Sequence, residues 1–413
     1  MDLITARCIY IPHYIYYPVP KKGKGVTIIK VLQVSDCFYP NVDGPINVMV
    51  NVAKTFNQEG LGCAELLVPS YSEKVEVDGL TIHRCFSVGL PGQDYRAGLP
   101  FFSRKVKKLL KNGGYDIIHL QSPFTVSRYV VKLAKKYKIP VVITVHTKFR
   151  DEFEKRVKCK FLVNFLTRYI IKCIDGCDAI TSVSKGMVEV LKDYGSKRTD
   201  DVKVVINASD MPRFGADKEQ TEKLRAELGL EGKFAFLFVG RLMPVKNVQF
   251  SLNVLKKVKD EGYDNFKYVI VGDGEYAKEL QKLTEKLSLE NEVVFAGKVT
   301  DRKQLACYYS ACQTLLFPSV FDNASIAMLE AAANGLPTAA IKGSCSAERL
   351  VDKESGFVWE NDEDVWVENV INLINNPALA KIAGKGAAEK VYADWRDVTH
   401  QYNSLYNDML KKG

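Results

Sequence analysis

Apolar and polar positions alternate in two rhythms along the 413-residue chain. In the first half, short Val- and Ile-rich runs at 27–34, 64–68, 117–120, 141–145, 180–183 and 202–206 read as strands. Between them, apolar residues three and four apart mark amphipathic helices at 46–58, 101–111, 128–137, 150–174 and 186–193. The second half repeats the rhythm, with strands at 234–239, 268–271, 293–296, 314–317 and 338–341 and helices at 248–261, 276–287, 302–311 and 324–334. Short apolar strands alternating with helices predict parallel sheets covered on both faces. Ligands of such doubly wound sheets sit at the C-terminal ends of the strands.

The rhythm breaks between 207 and 232, a polar stretch with a single helical pattern. The expected organisation is a Rossmann-like domain at 26–206, a linker at 207–232 and a second Rossmann-like domain at 233–390. A chain of this length suits two domains better than one. Residues 377–412 are helical in pattern and end in Trp and Tyr residues. Residues 1–25 are aromatic-rich, end in a Lys/Gly cluster and lack a signal-peptide core and cleavage site; they read as a poorly ordered extension.

Composition narrows the class. Ten Cys are scattered without a Cys-x-x-Cys pair, which argues for reduced thiols in a cytosolic protein rather than a disulfide frame or zinc site. The five His are not clustered, so no metal is expected. No apolar run reaches the roughly 20 residues that span a bilayer. The net charge of +9 is unevenly spread. Residues 101–172 hold eighteen Lys and Arg against four Asp and Glu, a balance of +14 that leaves the rest of the chain at −5. A basic first half implies an anionic partner for it. Within it, the segment 148–172 sets Phe149, Phe153, Phe161, Phe165 and Tyr169 among Lys and Arg. A basic amphipathic helix can lie on an anionic membrane, each basic residue adding about 1 kcal/mol. The same pattern also fits a helix that packs its apolar side on a sheet and leaves its charges solvated. No nucleic-acid-binding module accompanies the charge.

The stretch from Phe317 to Pro337 holds the sharpest chemistry. A buried-looking run ends in Pro318-Ser319. Asp322 and Glu330 follow eight positions apart, with a helix-forming segment between them that Gly335-Leu336-Pro337 stops. Eight residues is slightly over two helical turns, so Asp322 at the helix entrance and Glu330 within it can share a face. A helix N-terminus offers free main-chain amides to a phosphate. Taken alone, the spacing also fits a solvated helix. Other candidates stand at predicted strand ends: Gly44 just before a helix, His146 in Thr144-Val145-His146-Thr147, His119 in Ile118-His119-Leu120-Gln121-Ser122-Pro123-Phe124, and Arg241 and Lys246 in the loop after 234–239. Arg and Lys together can hold a diphosphate, the first by its fork and the second as a point charge.

These motifs resemble those of the retaining glycosyltransferases of family 4, which have the GT-B fold. Their signature is Glu, seven residues, Glu, then small residues and Gly-x-Pro; here Asp322 replaces the first Glu and Ala324-Ser325 replaces Phe-Gly. Gly240-Arg241-Leu242 with Lys246-Asn247 is similar to the family's donor-phosphate clamp, and Thr144 to Thr147 to its Thr-x-His-Thr. Pro40 to Gly44, with its Asp43-Gly44 pair, resembles the loop of family members that glycosylate lipids. The segment at His119 is similar to His-x-His-x-Pro-Phe, with Gln121 in place of the second His. Gly272-Asp273-Gly274 resembles a Gly-x-Gly turn near the nucleotide, and Glu348 and Gly356 match further loop positions. The likeness runs from Lys30 to Asp397, departing at Asn207-Ala208-Ser209-Asp210, where the family has Asn-Gly-x-Asp.

The resemblance implies two Rossmann-like domains facing a cleft, the first binding the acceptor and the second a nucleotide-sugar, with residues 391–413 crossing back onto the first domain. It implies sugar transfer from a nucleotide diphosphate, UDP before GDP, without a metal. Arg241 and Lys246 would neutralise the departing diphosphate, assisted by amides after Asn323 (those of Ser325 and Ile326). Asp322 would accept from sugar hydroxyls and Glu330 from the ribose. His146 would orient the sugar, and Asp43, Gly44, His119 and Asn323 would line the substrate site. The acceptor would be a membrane lipid, a lipid-linked glycan or a soluble molecule, reached from the cytoplasm or from the inner face of a membrane. Two other readings share the motifs: a nucleotide-sugar epimerase and a non-catalytic binding module.

Overall fold

The structure, a computed structural model, describes residues 29–41, 44–89, 95–323 and 325–412. The expected extension at 1–25 and Asp43 lie outside them. The first domain runs β1 (Ile29–Val34), α1 (Gly44–Gln58), β2 (Gly62–Pro69), β3 (Ile82–Cys85), β4 (Ser87–Gly89), β5 (Arg96–Gly98), α2 (Arg104–Asn112), β6 (Ile117–Leu120), α3 (Thr125–Tyr137), β7 (Val141–Val145), α4 (Phe149–Arg156), α5 (Lys160–Ile174), β8 (Ala179–Ser182), α6 (Lys185–Asp193) and β9 (Lys203–Val204). After α7 (Lys218–Glu227), the second runs β10 (Phe234–Val239), α8 (Val248–Asp260), β11 (Phe266–Val271), α9 (Ala277–Lys286), β12 (Val293–Gly297), α10 (Arg302–Ala311), β13 (Thr314–Phe317), α11 (Ile326–Ala333), β14 (Thr338–Ile341), β15 (Phe357–Trp359) and α12 (Glu363–Asn375). Helices α13 (Pro377–Lys390) and α14 (Trp395–Lys412) finish the chain.

Both large sheets are parallel. The first has strand order β3-β2-β1-β6-β7-β8-β9 and the second β12-β11-β10-β13-β14-β15. Two Rossmann-like domains therefore follow from the alternation in the sequence. In each, the order reverses at one point: between β1 and β6, and between β10 and β13. Crevices open at such points, above the strand ends.

The central strands are buried along their length and mostly apolar because both faces are covered. On one face of the first sheet, Val106, Val130, Ile170 and Met187 bring α2, α3, α5 and α6 into one core. On the other, Ile46 and Phe56 of α1 pack with Val398, Tyr402 and Tyr406 of α14. The last helix thus belongs spatially to the first domain. The polar stretch at 207–232 also carries core residues, since Met211, Leu224 of α7 and Leu230 join the second domain's interior.

Three features differ from the sequence reading. The pattern at 150–174 is two helices, because Val157 and Cys159 take extended backbone between α4 and α5. Strands β3, β4, β5 and β15 are short, and most of the first three is only partly buried, so they carry little apolar signal. Helix α12 is rich in Val and Ile, which favour strands, yet Asp362 caps its N-terminus by accepting from the amides of Asp364 and Val365 at 2.8 and 3.3 Å.

The reversal point of the first sheet is locked by Asp36, which follows β1 and is buried. Its carboxylate accepts from the amides of Phe124 and Val126 at 3.0 and 2.5 Å and from Ser122 Oγ at 2.8 Å. It does for α3 what that helix's own N-cap residue, Phe124, cannot. Asp36→Ala would leave these buried donors without a partner, a loss of about 3 kcal/mol. The expected result is a clear drop in melting temperature with no change in the second domain's spectroscopic signals.

Candidate active site

A cleft of about 230 Å³ lies between the domains above the strand ends. The first domain contributes Gly44, His146, Thr147 and the first turns of α4; the second contributes Val245, Lys246, Ser319, Phe321, Asp322 and Asn323. Five sequence candidates, Gly44, His146, Lys246, Asp322 and Asn323, thus meet in one space.

On the second-domain side, the loops after β10 and β13 are tied together. Lys246 Nζ donates to Asp322 Oδ2. Ser319 Oγ donates to the Val245 carbonyl at 3.0 Å, and Asn247 Nδ2 to the Pro318 carbonyl at 3.2 Å. Asn247 sits in the left-handed region at φ 58°, which Asn tolerates better than most residues. Arg241, on the same loop as Lys246, is exposed and has no hydrogen bond or ion pair to any described residue. It does not line the cleft itself.

The Arg241 loop rests on the Gly272–Gly274 turn. Gly240 N donates to the Val271 carbonyl and Leu242 N to the Asp273 carbonyl, both at 3.0 Å. A Cβ on Gly272 would stand 1.9 Å from the Gly240 carbonyl oxygen, and one on Gly274 would stand 2.2 Å from that of Leu242. Both glycines are required because two main chains touch there. Their place in the motif is structural.

Glu330 does not reach the cleft. Helix α11 starts at Ile326, so Asp322 lies on the loop ahead of it and the two acids do not share one helical face. Glu330 is buried, with Oε1 at 2.7 Å from Arg302 Nη1 and Oε2 accepting from Tyr309 OH at 2.8 Å. Arg302 Nη2 continues to Asp210 Oδ1 at 2.5 Å. Burial pushes the Glu330 carboxyl up, and the Arg302 guanidinium opposes it. Ser325 caps α11 without a side-chain bond, and neither it nor Ile326 lines the cleft.

His119 is also withdrawn. It is fully buried inside the first sheet, bonded to Tyr406 OH at 2.6 Å and Thr144 Oγ1 at 2.7 Å. His146 is the imidazole at the cleft. Its Nε2 lies 2.8 Å from Gln121 Oε1, and its main-chain carbonyl accepts from Asn323 Nδ2 at 2.9 Å across the cleft. Asn323 Oδ1 is buried and has no partner among the described residues. A second cross-domain tie lies nearby: Glu348 accepts from the amides of Lys185 and Gly186 at 2.8 and 2.6 Å, at the N-terminus of α6.

The sequence reading missed Lys148, Asp151, Glu152 and Lys155, which line the cleft from α4. Their signal was position, since they follow directly on the His146 strand end; the continuous amphipathic pattern assigned them to one long helix instead. Among the described residues, no group of three or more His, Cys, Asp or Glu is placed to hold a metal, and no helix is long and apolar enough to cross a membrane.

Burial pushes the pKa of both His119 and His146 down to about 3. Unfolded, each ring would protonate at its ordinary 6.5. The unfolded chain therefore binds more protons below 6.5, and the stability the neutral rings contribute is lost as pH falls from 6.5 towards 3. His119→Gln removes one such ring. Denaturant unfolding at pH 7 and pH 5 should show a drop smaller by about 2 kcal/mol in the variant than in the wild type.

Comparison with known proteins adds the family context. Residues 42–212 match the profile described as Glycosyltransferase Family 4, and residues 220–390 the one described as Glycosyl transferases group 1. An alpha-monoglucosyldiacylglycerol synthase of Streptococcus pneumoniae is 26% identical over 321 residues, covering 74% of this chain and 72% of that protein. A UDP-Gal:alpha-D-GlcNAc-diphosphoundecaprenol alpha-1,3-galactosyltransferase of Escherichia coli is 27% identical over 321 residues, covering 73% of this chain and 78% of that protein. Among solved structures, Anabaena Alr3699/HepE in complex with UDP superposes with a TM-score of 0.74 at 18% identity, covering 92% of this chain and all of that one. That likeness carries the fold, which is GT-B.

Proposed function

Because this chain belongs to the glycosyltransferases of family 4, we propose that it transfers a sugar, with retention, from a UDP-sugar to a hydroxyl of a lipid or lipid-linked glycan. The observation that carries this is the clamp at the second sheet's reversal point: Lys246 held by Asp322, with Arg241 on the same loop unpaired among the described residues and His146 opposite. UDP is favoured because it is bound by Alr3699/HepE and belongs to the donor named for the Escherichia coli relative. A lipid acceptor is favoured by the names of the two relatives.

In this reading the acceptor hydroxyl attacks the anomeric carbon on the face that the diphosphate leaves. The glycosidic bond forms, the bond from carbon to diphosphate oxygen breaks, and the hydroxyl proton passes to the departing diphosphate. The protein's task is to neutralise the developing charge. Arg241 and Lys246 do that, with the α11 amides assisting, and the step takes no metal. Asp322 and the orphaned Asn323 Oδ1 accept sugar hydroxyls, since a buried acceptor without a donor calls for a ligand group. Glu330 supports the site through Arg302 and Asp210 instead of meeting the ribose as a free acceptor.

The membrane is met by the first domain. Phe161 and Phe165 of α5 are 82% and 57% exposed, and Phe101 and Phe102 before α2 are 54% and 70% exposed. Crossover helices run opposite to the strands they connect, so these helix starts lie at the cleft end of the sheet. Basic residues flank them along the chain, among them Arg104, Lys105, Lys158 and Lys160. Aromatic rings within a cationic surface suit insertion at an anionic bilayer.

Two outcomes test the proposal. UDP at 100 times its dissociation constant should stabilise the protein by about 2.7 kcal/mol in a thermal-shift titration. Arg241→Ala should abolish most of that shift; a retained shift would place the diphosphate elsewhere. Phe161→Ser with Phe165→Ser should weaken sedimentation with anionic vesicles by a hundredfold or more, given roughly 1.5–3 kcal/mol per buried Phe. Unchanged sedimentation would remove α5 from the membrane surface.

A further inference from the structure

The middle strands of the first sheet carry polar side chains on the face that α14 covers. Gln33 of β1, His119 of β6, Thr144 of β7 and Thr181 of β8 are all buried there. Together with Gln121 and Tyr406 they form one hydrogen-bonded chain that ends at His146.

Its direction can be read from the far end. Thr181 Oγ1 donates to the main-chain carbonyl of Ile143 at 3.2 Å, and a carbonyl can only accept. With that proton committed, we assign Thr144 Oγ1 as the donor to Thr181 Oγ1 at 2.7 Å and as the acceptor from Tyr402 OH at 3.2 Å. His119 Nε2 lies 2.7 Å from Thr144 Oγ1 and donates to it, which leaves His119 Nδ1 to accept from the Tyr406 hydroxyl at 2.6 Å. The Gln33 amide donates to the Tyr406 oxygen at 3.5 Å, and its Oε1 accepts from Gln121 Nε2 at 2.8 Å. Gln121 therefore presents only a carbonyl oxygen, 2.8 Å from His146 Nε2. That nitrogen must carry the proton.

His146 Nδ1 has no bond to any described residue, and the ring lines the cleft. We infer that Gln121, Gln33 and Tyr406 are positioning residues that hold His146 in its neutral Nε2–H form, so that Nδ1 accepts a hydrogen bond from a sugar hydroxyl in the cleft. The inference rests on the transfer reading for the identity of that hydroxyl, but its tautomer part does not. It also gives a reason for Gln121, where the resembled motif has a second His. An imidazole at 121 could present either a donor or an acceptor to His146. An amide whose N–H is committed to Gln33 presents an acceptor only.

The test is nitrogen-15 NMR of the full chain with labelled histidine, the His146 signals being assigned by their loss in His146→Asn. The wild type should show Nε2 protonated and Nδ1 bare. Gln121→Leu and Tyr406→Phe should each give a mixture of tautomers. Where transfer is measured, each should lower kcat about tenfold, one hydrogen bond's worth, with little change in KM for the nucleotide donor. Gln121→Asn should recover part of that loss where Gln121→Leu recovers none. A wild type protonated on Nδ1, or a tautomer indifferent to both variants, overturns the inference. So does a correct tautomer with transfer unchanged in Gln121→Leu. Failure of the transfer reading would be seen separately, as no product from the wild type.

Discussion

A parallel sheet that buries polar side chains must supply partners for them from whatever covers that face. Gln33, His119, Thr144 and Thr181 stand on four strands of the first sheet, and Tyr402 and Tyr406 of α14 meet them. Without those two hydroxyls the face would hold several unpaid desolvation costs of about 1–3 kcal/mol each. The chain meets the constraint by sending its last helix back from the second domain. Fold and site are coupled by that choice, because the chain of bonds that satisfies the sheet ends at the imidazole of the cleft.

The second domain solves a different problem. Lys246 in its cleft and Arg241 on the same loop must stay available, yet fixed in place. Asp322 holds Lys246, Asn247 and Ser319 bind the two loops to each other, and the Gly272–Gly274 turn supports the Arg241 loop from beneath. Deeper in, Glu330 and Arg302 join α11 to the start of the inter-domain stretch at Asp210. Acids that look alike in sequence thus do different work, Asp322 at the surface of the cleft and Glu330 within its foundations.

Much of this was legible in the residues. The alternation of apolar runs and amphipathic stretches predicted both sheets, and strand ends pointed to Gly44, His146, Lys246 and Asp322, which the fold gathers. What remained hidden depends on contacts distant in sequence. Nothing local tells that Glu330 meets Arg302, or that His119 faces an aromatic helix 287 residues away. The α4 side chains at the cleft were masked for another reason. The helical period runs unbroken through Val157 to Cys159, and only the extended backbone there separates a cleft helix from an outward one. Helix α12 was obscured by β-branched composition, which tertiary packing of Trp366 and Val370 overrides.

Glu348 touches no part of the cleft, yet both its oxygens bind amides at the first turn of α6 in the opposite domain. A carboxylate at a helix N-terminus gains from the free amides and from the dipole. With the Asn323 contact to the His146 carbonyl, it fastens the two halves of the molecule at two points. Separation of the halves must break these bonds first, whatever occupies the space between them. The hold between the two halves is therefore set in part by a glutamate that lines none of the cleft.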